Sequence, residues 1–296
     1  MLALPPVSIV IPTRDRPELL RHTVQSVLDG DSLPAEIVVV DQSSGPRAAL
    51  PAGGSVEIRR LELSSRGLSR ARNAGIAAAT HDVIVMIDDD VHVQPDWLRR
   101  LVDALLAAPA GTVVTGTVAA PPTTTDGFVP STTSRTEPET FFGRQPGDFL
   151  FGGNMAMRRA VFEQVGPFDK RLGAGALFAS AEDNDWGYRL LEAGCRIAFE
   201  PAAVLYHHGT RQGRALFALD WAYGRGQGAF YAKHMSLSDR HILRRFGRDA
   251  AKRARRVARI VRGNRHRLRE GIYLAGLVSG ALGWWRRSAR RAFTRL

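Results

Sequence analysis

Three consecutive aspartates, Asp88-Asp89-Asp90, follow the apolar run Val83–Ile87. On an extended chain residues two apart point the same way, so Asp88 and Asp90 converge on one object and Asp89 is turned aside. Converging carboxylates with no base beside them suit a hard divalent cation, Mn2+ or Mg2+, that keeps positions open for phosphate oxygens. The plain alternative is a solvated acidic turn. His207-His208 follow Val204-Leu205-Tyr206. Strand alternation leaves room for only one of the two as a further ligand. Glu182-Asp183-Asn184-Asp185 opens a predicted helix after Ser180. Acids in a first turn serve the backbone N–H groups and the dipole, and residue types alone favour that role. The same position also projects a carboxylate suited to general-base chemistry. Gly67–Gly75 (GLSRARNAG) is a glycine-led helix start. Arg66, Arg70 and Arg72 there suit a phosphate, or are solvated arginines of an amphipathic helix. The spacing is neither that of a P-loop nor that of a dinucleotide fingerprint.

These residues need elements to hold them. Val7–Pro12, Glu36–Asp41, Val56–Leu63, Val83–Ile87 and Thr112–Ala119 read as strands. Arg16–Leu28, Gly67–Ala79 and Pro95–Ala108 between them have helical apolar spacing. Continuous apolar strands alternating with helices predict an α/β fold with a mostly parallel sheet covered on both faces. Ligands in such sheets bind beyond the carboxyl ends of the strands. Thr13-Arg14-Asp15, Asp41 and Asp88–Asp90 all fall there. Pro121–Gln145, rich in Thr, Pro and Ser, reads as a long loop, of the kind that is either functional or disordered. Beyond it the pattern predicts helices Arg158–Val165 and Glu182–Ala193, and strands near Arg196–Phe199 and Ala203–Tyr206.

Composition narrows the class. The chain has 296 residues, 44% of them hydrophobic and 24% charged, which is globular rather than disordered. A single cysteine, Cys195, excludes a disulfide framework and a multi-cysteine metal site. The net charge of +12 is unevenly spread. Arg240 to Leu296 holds 18 basic residues and 2 acids, a net +16, while the first 239 residues hold 23 and 27, a net −4. The opening MLALPP has no basic segment and breaks its apolar run with Pro5 and Pro6, unlike a signal peptide. The longest apolar run of the tail, Gly271–Trp285, falls short of the roughly 20 residues of a membrane-spanning helix.

In order along the chain, VSIVIPTRDRPELLRHTVQSVL, EIVVVDQSSG, GLSRARNAGI, VIVMIDDDV, GGNMAMRRAVFEQVGPFDKRLGAG, AEDNDWGYRLLEAG and VLYHHG resemble the inverting family 2 glycosyltransferases of the GT-A fold. The resemblance covers roughly residues 7 to 235. It implies a catalytic domain over 1–235, with a nucleotide-binding half to about 120 and an acceptor half from about 150, and a helical extension over 236–296. It implies that Asp41 would bond the nucleotide base, in a pocket lined by Pro12, Thr13 and Arg14. Arg66, Asn73, Asp88 and Asp89 would lie along the nucleotide. Asp90, with Asp88 and His207 (or His208), would hold Mn2+ or Mg2+ against the diphosphate. Gly153, Asn154, Glu182 and Trp186 would line the sugar and acceptor side, and Asp183 would be the general base. DQSSG departs from the DDGSxD of many members in lacking the second acid.

The tail reads separately. Ile242, Leu243, Phe246, Ala250, Val257, Ile260 and Val261 recur at near-helical spacing among arginines. Tyr273, Trp284 and Trp285, followed by Arg286, Arg287, Arg290 and Arg291, fit an interfacial anchor on an anionic membrane. That places the protein in the cytoplasm, peripheral on the inner face of the membrane. A helix packed on the catalytic domain and a nucleic-acid surface are the rival readings, and no nucleic-acid recognition motif supports the latter. The function the resemblance implies is metal-dependent, inverting transfer of a sugar from a nucleotide-diphosphate donor to a glycan or lipid-linked hydroxyl, in surface polysaccharide or glycolipid synthesis. A nucleotidyltransferase or a non-catalytic membrane- or nucleic-acid-binding adaptor are the alternatives.

Overall fold

The computed structural model describes residues 4–47, 49–122, 124, 127–258 and 265–293, with side chains described up to 258 and again over 268–288 in the tail. Of the tail positions read above, Ile260 and Val261 lie outside the described residues, and Arg290 and Arg291 outside the described side chains. The chain divides into two compact units, residues 1–168 with 186–210, and residues 169–185 with 211–296. That division differs from a single cut near 235, because 169–185 and 211–235 belong with the C-terminal helices.

The first unit is an α/β sheet. Strands β1 (Val7–Thr13), β2 (Glu36–Asp41), β3 (Glu57–Glu62) and β4 (Val83–Ile87) run parallel, in the order β3-β2-β1-β4. Every residue of β1, β2 and β4 is buried, as expected of strands covered on both faces. Helices α1 (Pro17–Leu28), α2 (Leu68–Ala78) and α3 (Trp97–Ala107) make the crossovers. Pro17 begins α1, where its missing N–H costs nothing. Beyond β4 the sheet becomes mixed. A short β5 (Val91–Val93), β6 (Thr112–Ala119), β7 (Glu139–Phe142), β8 (Asn154–Arg158) and β9 (Arg196–His207) follow, with β8 antiparallel to both β4 and β6. The sequence pattern had not shown β5, β7 or β8. β7 lies within the predicted loop, and the two predicted strands near 196–206 are one, β9. Helices α4 (Arg159–Val165) and α5 (Glu182–Glu192) complete this half, the division between units falling inside α5.

Glu36 ties the parallel strands together. It is 1% exposed and accepts bonds from the Ser8 hydroxyl, the Thr80 amide and the Arg59 guanidinium. Burial alone would raise its pKa; the three donors reverse that and hold it at about 2. A carboxylate below its unfolded value stabilises the fold above that value and loses this as pH falls through the folded one. The contribution is therefore present above about pH 4.5 and lost toward pH 2. Glu36→Gln is expected to cost about 3 kcal/mol at pH 7 and to flatten the acid limb of a stability–pH curve measured by urea unfolding.

The second unit is helical. It contains α6 (Arg214–His234), α7 (Arg240–Ala258), α8 (Arg265–Phe293) and the loop 169–181 that leads to the first turn of α5. Gly224 and Gly228 on α6 face the Tyr273 and Leu277 carbonyls, and Gly276 and Gly280 on α8 face those of Trp221 and Arg225. A Cβ at any of the four collides with backbone, so only glycine permits this approach. Gly228→Val is expected to destabilise the protein by about 3 kcal/mol, the upper end for overpacking against atoms that cannot yield. Gly247 on α7 has open space around its Cα. Gly247→Ala is expected to stabilise by up to about 1 kcal/mol, giving opposite signs in one denaturation series.

The tail's apolar face is used internally. Ile242 is buried, Phe246 packs edge-on to Tyr231, and the buried Arg245 lies over Phe230 and Tyr231. Trp284, read from sequence as a membrane anchor, is 7% exposed, with its ring beside Phe178 and under Arg171. Arg253 and Arg256 hold the buried Glu270, with Arg253 over the Tyr273 ring. Packing, one of the three sequence readings of the tail, is thus observed within this unit.

Candidate active site

Polar and charged side chains gather at the carboxyl ends of β1, β2 and β4. Asp41, 3% exposed at the end of β2, accepts the Ser43 amide at 2.9 Å. Arg47 and Arg60 each place Nε 3.7 Å from its other oxygen. Pro12 and Thr13 are buried in register with Val40 and Asp41. Arg14 pairs with Asp15, and Asp15, at φ +54°, is pinned by Ser43 and Ser44. Gln42 follows Asp41 at the end of β2. Its amide donates to the Gly67 carbonyl and its oxygen accepts the Gly67 N–H, so it locks the start of α2 to β2. Arg66, just before that start, is exposed.

The three aspartates do not alternate as an extended chain would. β4 ends at Ile87 and the chain turns at Asp89-Asp90, which redirects the side chains. Asp88 accepts from Arg72 of α2 at 3.1 Å and lies against Gly153, where a Cβ would collide with its carboxylate. Asp89 and Asp90 instead share one cation: Arg16 Nη1 lies 3.2 Å from Asp89 and 2.8 Å from Asp90. Thr13 donates its hydroxyl to Asp89 at 2.6 Å. Burial pushes the Asp89 carboxyl up to about 6, against the pull of Thr13 and Arg16. Asp89 is therefore not turned aside: it shares Arg16 with Asp90, while Asp88 is engaged by Arg72. Arg16 is the residue sequence reasoning missed. Its signal was the TRDR spacing, which puts a second arginine one turn beyond β1.

His207 ends β9 directly across from Val91. Its Nε2 is 3.2 Å from Asp90 Oδ1, and its Nδ1 accepts the Gly209 amide. His208 gives only its backbone N–H to the Asp90 carbonyl, and its ring lies near His92. Burial and the neighbouring His92 and His207 hold its pKa down. Of the two histidines, His207 is the one brought to the acids. Asp90 and His207 form a carboxylate–imidazole pair that a divalent ion accepts. Among the described residues no group of three His, Cys, Asp or Glu is assembled around one point. The pair thus fits an ion that takes its remaining ligands from a bound diphosphate and water.

Three predicted site residues are bonded to protein partners. Asn154 is fully buried. Its Nδ2 donates to the Thr117 and Ala203 carbonyls and its Oδ1 accepts from Trp97, at the register shift between β6 and β9. Asn73 clamps both the N–H and the C=O of Phe168 at 2.9 Å. Trp186 is fully buried, stacked near Phe168 and bonded to the Gly166 carbonyl. The resemblance places all three beside the ligands; here each also has polar atoms bonded to protein groups.

The first turn of α5 is built within the second unit. Ala181, at φ +66°, turns the chain sharply into Glu182; a non-glycine residue held there is strained. Glu182 is buried, and Asp185 is fully buried between Lys233 at 2.7 Å and His234 at 2.7 Å. Lys233 also reaches Asp169, which it and Arg171 hold well below the usual carboxylate range against the effect of burial. Asn184 is tied to Gln227. Asp183, at intermediate exposure, accepts the Asn184 amide at 2.8 Å. Its neighbours thus fix the helix start on either side of it.

Comparison with known proteins decides the family. The family model described as "Glycosyl transferase family 2" matches residues 8–166. The chain belongs to that family. It is a glycosyltransferase. A glucosyl-dolichyl phosphate glucuronosyltransferase of Haloferax volcanii is 30% identical over 224 residues, 68% of this chain and 68% of its own. A pre-mycofactocin glycosyltransferase of Mycobacterium tuberculosis is 28% identical, over 77% of this chain and 48% of its own. The chain therefore spans about two thirds of one relative and about half of the other. Among solved structures, a mannosyltransferase from Pyrobaculum calidifontis in complex with GDP-Man and Mn2+ has a TM-score of 0.60 at 16% identity, over 94% of this chain and 87% of that one. The likeness shows the same fold, the GT-A fold expected from the sequence.

Proposed function

We propose that this glycosyltransferase moves a sugar from a nucleotide-diphosphate donor to a hydroxyl of a glycan or lipid-linked acceptor, with inversion, in surface polysaccharide or glycolipid synthesis. The observation that carries the reading is the meeting of Thr13, Arg16, Asp88, Asp89, Asp90 and His207 beyond the carboxyl ends of β1, β4 and β9. Asp41 would receive the base beyond β2, where Arg47 and Arg60 now flank it. Asp90 and His207 would hold Mn2+ or Mg2+. When bound, the ion would neutralise the charge that develops on the departing diphosphate. Arg16, which pairs with Asp89 and Asp90, would offset part of the charge of these acids. Asp183 would take the proton of the acceptor hydroxyl, which is a weak nucleophile at neutral pH. The Asp185–Lys233–Asp169 network would keep that carboxylate at the helix start.

The names of the relatives support this reading. One acts on a dolichyl phosphate-linked sugar, and the solved neighbour holds a nucleotide sugar with Mn2+. Among the described residues no helix is long and apolar enough to cross a membrane. We place the enzyme on the inner face of the membrane through its basic tail. Nucleotidyl transfer is the weaker reading, because PTRDRPE after β1 lacks the glycine-rich basic loop that chemistry uses. Thermal-shift screening against UDP-, GDP- and dTDP-sugars with Mn2+ tests the proposal. At least one donor is expected to raise the midpoint only when metal is present. A flat response to all donors and metals would reject it.

A further inference from the structure

Helix α8 is apolar on two faces, and only one is covered among the described residues. Leu277, Ala281 and Trp284, with Gly276 and Gly280, form the inner face against α6. Leu268, Val278, Leu282 and Trp285 are 56%, 47%, 44% and 45% exposed, and Ala275 is exposed with them. At 100° per residue these five fall within about one quarter to one third of the helix circumference. They span about 26 Å of helix. A helix apolar all round is ordinarily buried all round.

Charge selects what covers the outer face. Arg286 and Arg287 are exposed just beyond Trp285, and Lys252 and Arg255 are exposed on α7. The segment from Arg240 onward carries a net +16. A second copy would bring two such segments together, and like-charge juxtaposition opposes association. An anionic bilayer supplies both the opposite charge and an apolar interior. No described helix meets the length and apolarity of a span, so α8 would lie in the interface plane. We propose that the outer face of α8 (Leu268, Ala275, Val278, Leu282 and Trp285) is the surface that docks on an anionic lipid bilayer. The proposal rests on the membrane-associated reading above and replaces the buried Trp284 with the exposed face as its contact.

The test uses the full chain with vesicles of phosphatidylcholine alone or with 30% phosphatidylglycerol. Co-sedimentation of the wild type is expected with the anionic vesicles only, weakening but persisting in part as salt rises. The variant Val278→Gln/Leu282→Gln/Trp285→Gln is expected to bind at least tenfold more weakly, with an unchanged thermal midpoint. Brominated lipid gives a readout that does not depend on that triple variant. It should quench wild-type tryptophan fluorescence, and Trp285→Phe should remove most of the quenching. A triple variant that pellets like the wild type would overturn the face and leave membrane attachment by charge standing. Failure of the wild type to bind either vesicle would overturn both, whatever its donor binding. Lipid-free dimerisation abolished by the triple variant would assign the face to a second copy and overturn the proposal.

Discussion

Asp90→Ala is expected to abolish metal-dependent donor binding. In calorimetry with Mn2+, the affinity for the cognate nucleoside diphosphate should fall roughly 100-fold or more, since even residues that only orient a metal ligand cost 10- to 100-fold. Asp90 is the carboxylate nearest His207, so its loss removes one of the two protein donors. The fold should survive, because Arg16 keeps Asp89 as a partner. Affinity equal to wild type in Mn2+ would remove Asp90 from the metal site. Asp88→Asn provides the contrast. That carboxylate is engaged by Arg72, whereas Asp90 is the one beside His207, so the change should weaken nucleotide binding less.

The second large effect is at Asp183. Asp183→Asn should leave the donor affinity and thermal midpoint unchanged while lowering turnover by roughly 100- to 10,000-fold, the usual worth of a positioned general base. The amide oxygen can still accept the Asn184 N–H, so the helix start is preserved, but it takes no proton at neutral pH. A variant with most of the wild-type turnover would make the residue a helix cap and nothing more. Single-turnover kinetics with saturating donor separates this loss from any change in product release.

How far the sequence alone could be read differs from element to element, for physical reasons. The parallel half was legible, because β1, β2 and β4 are buried on both faces and so appear as unbroken apolar runs. β8 was not. Asn154-Met155-Ala156-Met157-Arg158 has polar ends and no β-branched residue, and it becomes a strand by pairing with β4 and β6. The aspartates were found by type, but their directions were misjudged. Alternation holds only while the chain stays extended, and it turns at Asp89. Asn154, Asn73 and Trp186 show the limit of motif reading, since a polar atom in a motif can be directed to the core. Trp284 and Trp285 are adjacent, yet one is buried and the other exposed. Helical geometry separates them, and only the α6–α8 packing says which is which.

Transfer of a sugar from a nucleotide-diphosphate donor, with inversion and with help from a divalent ion, is the activity proposed for this chain. The most direct measurement follows product formation from an α-linked sugar nucleotide by NMR, with a lipid-linked or glycan acceptor, in Mn2+ and in EDTA. The account predicts stoichiometric release of nucleoside diphosphate and a β-linked product, both lost in EDTA. An α-linked product, or transfer that continues undiminished in EDTA, would contradict it.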